Sequence, residues 1–257
     1  MPPARRGRRA GSRELNVGDF ARIDRDRPER VGVPEIVLAE GKSVAHLLAI
    51  VEAFVTEGHG ALISRPTPVQ RRALDRAGAA GAPIDRLADG RLYRVRGPIA
   101  PRYRDGVIAI VTAGTSDVPL AEEARAVIEA MGLDVVVAHD VGVAGLHRLL
   151  RALPKLERRR PEVYLVFAGR EGALPTVVAG LVRAPVVGVP TSVGYGRGGR
   201  GEAALNAMLQ SCAPIAVVNI DAAVPAALFA AQRFARPAAP VRGPRPRRPP
   251  RQSRRAP

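Results

Sequence analysis

The chain has one cysteine, Cys212, no tryptophan, and only five phenylalanines and four tyrosines among 257 residues. A single thiol rules out an intramolecular disulfide framework, and the four scattered histidines, His46, His59, His139 and His147, show no Cys/His spacing for zinc. A cytoplasmic location is therefore expected. No apolar run approaches the roughly 18 to 20 residues of a membrane helix, and the opening MPPARRGRRAGSREL carries charge without an apolar stretch. Neither a membrane span nor a signal peptide is expected. With so few aromatic rings, the Arg-rich segments also lack the interleaved stacking surface of a single-strand nucleic-acid binder.

Arginine is what the sequence has in excess. The formal charge is +16, and 38 of the 40 basic residues are Arg, leaving Lys42 and Lys155 as the lysines. The surplus sits at the ends. Residues 1–18 hold five Arg against one Glu, and residues 233–257 hold nine Arg and no acid, which leaves only +3 for residues 19–232. Both ends are too poor in apolar residues to fold alone, so they are expected to be disordered tails, and no specific nucleic-acid partner is expected.

Between the tails two textures follow one another. Residues 19–103 hold the helical pattern SVAHLLAIVEAFVTEG, a short strand GALISR, a second helix VQRRALDRAG and the strand-like LYRVR, which together predict a small N-terminal α/β domain. Pro98 and Pro101 mark its boundary. Residues 104–232 alternate β-branched runs (VIAIVTAG, LDVVVAHD, VYLVFAG, PVVGVPTS, IAVVNI) with helical stretches. Strands apolar on both faces and joined by helices predict a flavodoxin-like, doubly wound parallel sheet in three α/β/α layers. Ligands of such sheets sit beyond the carboxyl ends of the strands. Thr115, Ser116 and Asp117, then Glu171, then Thr191 to Gly201 fall in those turns.

Each of these turns admits a bland and a chemical reading. The hydroxyls and N–H groups of TAGTSD, at a helix start, suit an anion, while Asp117 also suits a helix cap. Glu171 in GREGALP is placed to act as a general base between two glycines that let a ligand approach, and it equally suits the positive end of a helix. PTSVGYGRGGRG, with Thr191, Ser192, Gly194, Tyr195 and Gly196, suits a phosphate or a flexible surface lid. It has neither the GK[ST] ending of a P-loop nor the G-x-G-x-x-G of a Rossmann turn, which disfavours ATP hydrolysis and standard dinucleotide redox chemistry. Cys212, between a helix and IAVVNID, is either a packed small side chain or a nucleophile. Lys42 marks either a place that needs a compact ammonium or, like Lys155, a chance exception to the Arg bias.

Six pieces in one order, DRDRPERVGVPEIVLAEGK, IVTAGTSDVPLAEEA, GVAGLHRLL, AGREGALPTVVAGLV, VPTSVGYG and MLQSCAPIAVVNID, span about residues 22 to 221. Together they resemble the LarB family of nickel-pincer cofactor biosynthesis. The C-terminal part is similar to aminoimidazole ribonucleotide carboxylases, which share the flavodoxin-like fold and assemble as octamers, so a homo-oligomer is expected. In that resemblance the TSD turn, His147 and Arg148 match carboxylate and phosphate loops. Two departures stand out: GRGGRG follows GY where relatives place small and aromatic residues, and Arg170 replaces an apolar residue before Glu171.

The resemblance implies nicotinic acid adenine dinucleotide as substrate, carboxylated at ring position 5 and cleaved at its phosphoanhydride to release AMP. Carbon dioxide or bicarbonate is the co-substrate, no tightly bound cofactor is expected, and a magnesium ion is left open for the cleavage. An electron-poor pyridinium cannot attack carbon dioxide until a nucleophile adds to it; thiolate addition at position 4 leaves an enamine-like position 5. Cys212 matches the family's thiol and Glu171 the carboxylate that removes the ring proton afterwards. The rival within enzymes is an aminoimidazole ribonucleotide carboxylase or mutase, whose chemistry needs no thiol. A rival of another class is an RNA-binding module with a degenerate enzyme body.

Overall fold

Alternation and capping account for the smaller unit. The computed structural model describes residues 14–24, 27–98 and 103–235. A hairpin of β1 (Glu14–Val17) and β2 (Ala21–Asp24) pairs Leu15 with Ile23 and turns the buried side chains of Val17 and Ile23 into the core. Then follow α1 (Arg27–Val31), β3 (Ile36–Leu38), α2 (Val44–Thr56), β4 (Ala61–Ser64), α3 (Pro68–Ala79), β5 (Ile84–Leu87) and β6 (Leu92–Val95). The strands form one sheet in the order β3-β4-β6-β5, parallel only between β3 and β4. Helix α2 starts where Ser43 accepts the His46 N–H, and it buries Leu47, Ile50, Val51 and Phe54 at helical spacing. Helix α3 starts with a capping box between Thr67 and Gln70 followed by Pro68. Gln70 is buried and its amide also donates to the carbonyls of Ala39 and Lys42, which pins the 39–42 turn to this helix.

The larger unit runs β7 (Val107–Thr112), α4 (Val118–Ala130), β8 (Asp134–Ala138), α5 (Leu146–Glu157), β9 (Val163–Ala168), α6 (Leu174–Ala179), β10 (Val186–Pro190), α7 (Glu202–Leu209), β11 (Ile215–Val217) and α8 (Ala223–Gln232). Its sheet has the order β11-β10-β9-β7-β8 with every pair parallel, as the alternating pattern predicts. Period-2 alternation sorts the central strands into two cores. Ile108 and Ile110 of β7 and Leu165 and Phe167 of β9 meet α4 and α8. Ala109, Val111, Tyr164 and Val166 meet α5, α6 and α7. The smaller unit docks on the first of these faces: its Leu62 and Leu92 join that core, Tyr103 donates to the Gly32 carbonyl, and Arg65 donates to the Asp221 carbonyl. The first strand of the sheet, β7, has β8 on one side and β9 on the other, so chain direction reverses there and a crevice opens at the carboxyl ends of β7 and β9. Among the described residues no helix is long and apolar enough to cross a membrane.

Two expected boundaries move. Strand β1 begins at Glu14, inside the stretch assigned to the basic N-terminal tail, because its short alternation lies against the arginine run and is masked by it. At the other end Phe234 lies beyond residue 232 yet is fully buried. Its ring packs under the Arg104 guanidinium at 4.8 Å, its carbonyl accepts the Arg104 N–H at 3.0 Å, and Ala235 bridges to Tyr103. Residues 1–13 and 236–257, which hold most of both tails, and the 99–102 segment of the expected boundary lie outside the described residues. Ending the chain after Ala235 is expected to leave the melting temperature unchanged. Ending it after Gln232 removes a core phenylalanine, a loss of about 3 to 5 kcal/mol, and is expected to lower melting by roughly 10 °C in a thermal scan of the two truncations.

Candidate active site

The turn after β7 carries a buried carboxylate. Asp117 is 3% exposed; its Oδ2 accepts the Gly114 N–H at 2.9 Å and its Oδ1 accepts the Thr191 hydroxyl at 2.7 Å. It therefore straps the β7 turn to the β10 turn across the end of β9. Burial pushes its carboxyl above the ordinary aspartate range, with the hydrogen bonds from Thr191 and Gly114 opposing that shift. The expectation that Asp117 caps α4 is corrected here. Its backbone is already helical, at φ −84° and ψ −17°, and its carboxylate is committed to Gly114 and Thr191 rather than to the helix's N–H groups.

Glu171 stands in the next turn, exposed, on the wall of an open cavity of about 440 Å³. Ser116, Asp117, Gly142, Arg148, Arg170 and Val193 share that wall, so four loops distant in sequence meet at the switch between β7 and β9. The glycines beside Glu171 serve the chain's own packing, and Gly169 also lines the cavity. A Cβ at Gly169 would lie 2.2 Å from the Val193 carbonyl, and one at Gly172, where φ is +64°, would lie 2.6 Å from the Ala204 carbonyl. These contacts hold the Glu171 turn against the β10 turn and α7.

The remaining expected residues divide. Arg148 reaches the cavity and is held by an ion pair to Asp140 at the end of β8. Its neighbour His147 is exposed and does not line that cavity. Thr115 is exposed beside Ser116. Ser192 donates its N–H to Asp221 at 2.8 Å, and Gly194, Tyr195 and Gly196 continue as an exposed strap on which Tyr195, 82% exposed, stacks under the Arg170 guanidinium at 4.5 Å. Lys42 sits elsewhere: its ammonium donates to the Leu38 carbonyl at 2.8 Å and lines a separate pocket of the smaller unit with Phe20 and Phe54. Cys212 is exposed. It precedes β11, whose first residue, Ile215, pairs with Val186 at the amino end of β10, whereas Glu171 follows the carboxyl end of β9. One copy of the chain thus places thiol and carboxylate towards opposite ends of the parallel strands.

Sequence reasoning missed three groups. Asp140 follows a strand and could have been found by the same rule that found Glu171. Glu123 interrupts the apolar stripe Leu120, Ala124, Val127 of α4, a signal in itself, and is 3% exposed with its carboxyl raised above the ordinary glutamate range by burial. Arg65, Arg71 and Arg91 come from the smaller unit and face Glu123 across a second cavity, between the two units. Among the described residues no group of three or more His, Cys, Asp or Glu is placed to hold a metal ion.

Two family models match the chain. Residues 107–243 match the family model of AIR carboxylase, and residues 14–82 match that of the LarB/PurE-like N-terminal domain. An uncharacterized protein of Methanocaldococcus jannaschii is 36% identical over 217 residues, 83% of this chain and 84% of its own. The N5-carboxyaminoimidazole ribonucleotide mutase of Pyrococcus horikoshii is 32% identical over 138 residues, 51% of this chain and 74% of its own. A solved structure of a Treponema denticola PurE2 variant aligns at 24% identity with a TM-score of 0.43, over 51% of this chain and 80% of that one.

Proposed function

The chain belongs to the AIR carboxylase family, and from that premise we propose that it carboxylates the pyridinium ring of nicotinic acid adenine dinucleotide at position 5 and cleaves the phosphoanhydride. The products would be pyridinium-3,5-biscarboxylic acid mononucleotide and AMP. The observation that carries this reading over the purine-type alternative is the extent of the likeness: the mutase of Pyrococcus horikoshii covers only 51% of this chain, whereas the N-terminal unit matches the LarB/PurE-like domain and closes a second cavity beside the first. A purine mutase acting on a single small nucleotide has no need of that extra room.

On this reading Cys212 supplies the thiolate that adds at ring position 4, forming a C–S bond and moving an electron pair into the ring. The enamine carbon at position 5 then bonds to carbon dioxide. Glu171 takes the proton from position 5, and the returning electron pair expels the thiolate and restores the aromatic ring. Ser116 and Arg148 would face the substrate's anionic groups, and Asp117 holds their turn rigid. Because thiol and carboxylate lie towards opposite strand ends within one copy, the working site draws Cys212 from a neighbouring copy of a homo-oligomer. The exposed side chains of Leu181 and Leu209, next to the helix ends on that side, suit such a contact.

The test is incubation with nicotinic acid adenine dinucleotide and ¹³C-bicarbonate, followed by mass analysis. The labelled dicarboxylate mononucleotide and AMP are expected in equal amounts, with no turnover of the amide dinucleotide. Interconversion of carboxylated aminoimidazole ribonucleotides, with no change to the dinucleotide, would replace this reading by the purine-type one.

A further inference from the structure

We infer that the cavity between the two units is a binding site for the ribose-phosphate end of a nucleotide, the half of the substrate remote from the reacting ring. The inference rests on the function proposed above for the identity of the other half. The cavity holds about 420 Å³, within the usual range for small-molecule sites and large enough for a mononucleotide. Ser116 and Val193 line both this cavity and the one that contains Glu171, so a single elongated ligand can occupy the two together.

Charge pairing inside the cavity is incomplete in a particular way. Arg65 is occupied, with Asp221's carbonyl at 2.9 Å and the Glu40 carboxylate at 3.8 Å. Asp221 itself accepts the Ser192 N–H. Left over among the described residues are the guanidinium of Arg91, which makes no hydrogen bond or ion pair there, and that of Arg71, whose one bond there is from Nε to the Pro66 carbonyl. Opposite them Glu123 is 97% buried, makes no hydrogen bond or ion pair among the described residues, and comes from the larger unit. Keeping a carboxylate buried without a partner is costly, and here two unpaired guanidiniums face it across open space instead of closing onto it. Forked donors without a carboxylate suit phosphate oxygens, and a buried acceptor-only group suits the vicinal hydroxyls of a ribose. The two sets, brought from different units, match a ribose phosphate and nothing simpler: an anion alone would be repelled by Glu123, and a neutral polyol would leave the arginines unused.

The test measures AMP and 2′,3′-dideoxy-AMP binding by titration calorimetry to the full chain and to Arg91→Ala and Glu123→Gln. The Arg91 side chain makes no hydrogen bond or ion pair among the described residues, so its variant is expected to keep the fold, and matched melting curves check both proteins. Arg91→Ala is expected to weaken both nucleotides about tenfold. Glu123→Gln is expected to weaken AMP about tenfold and to leave the dideoxy compound unchanged, erasing the preference for the diol. AMP should also compete with the dinucleotide in turnover, which separates a substrate subsite from an independent nucleotide effector site; non-competitive action would overturn the assignment. AMP affinity unchanged in both variants would overturn it too, whether or not the dinucleotide is carboxylated. Variant-sensitive AMP binding without carboxylation would uphold the subsite and count against the proposed reaction alone.

Discussion

Cys212→Ser protein is expected to fold normally and to carboxylate at least a thousandfold more slowly than the parent, a barrier increase of about 4 kcal/mol. The substitution changes side-chain volume little, and the residue is exposed, so the core is untouched. What changes is the nucleophile. A thiol is a far stronger acid than a serine hydroxyl, and its thiolate is the nucleophile the addition needs. Without addition at position 4 the ring stays electron-poor and position 5 has no electron pair to offer carbon dioxide. A rate within about tenfold of the parent, only about 1.4 kcal/mol, would leave Cys212 without a part in the chemistry and favour the purine-type reaction. The separation of Cys212 and Glu171 within one copy adds a second readout. Cys212→Ser and Glu171→Gln chains co-assembled in one oligomer should regain part of the activity that each lacks alone, because some sites then receive one intact residue from each copy. Co-assembled chains as inactive as their parents would place both residues of a site on the same copy.

Glu171→Gln is expected to abolish product formation by about a hundredfold or more while leaving the thiol addition intact. Glutamine keeps the shape of the turn, which is fixed by the close packing of Gly169 against Val193 and Gly172 against Ala204 and not by the Glu171 side chain. It cannot take the position 5 proton. The ring therefore stays joined to sulfur or reverts to substrate, and the dihydropyridine absorbs in the near ultraviolet where the pyridinium does not. Loss of addition and product together would instead give Glu171 a part in binding.

Most of the sheet was legible because its strands are buried on both faces. VIAIVT and VYLVFA could only be central strands of a covered sheet, and helices between them forced parallel crossovers. Strand-end reasoning found Asp117, Glu171 and Thr191, which the fold does bring to one end of the strands. It failed where the decisive fact was register or docking. Cys212 sits beside a strand in the sequence, and only the pairing of Ile215 with Val186 reveals which strand end it occupies. The inter-unit cavity was hidden because Arg65, Arg71 and Arg91 are three among 38 arginines, and nothing in the sequence says that they face α4. Helix α8 escaped because AVPAALFAAQ is apolar all round, a pattern of burial rather than of amphipathic periodicity. The close packing of Gly169 on the Val193 carbonyl and of Gly172 on Ala204 was likewise invisible in the sequence, which shows the glycines but not what they pack against.

The most direct measurement is the intact mass of Glu171→Gln protein mixed with nicotinic acid adenine dinucleotide and ¹³C-bicarbonate, followed by digestion to locate the added mass. The account predicts a covalent ring adduct on the peptide that contains Cys212, accompanied by near-ultraviolet absorbance and absent from the Cys212→Ser protein. Unmodified Cys212 in that variant, while the parent protein forms labelled dicarboxylate product from the same mixture, would contradict it.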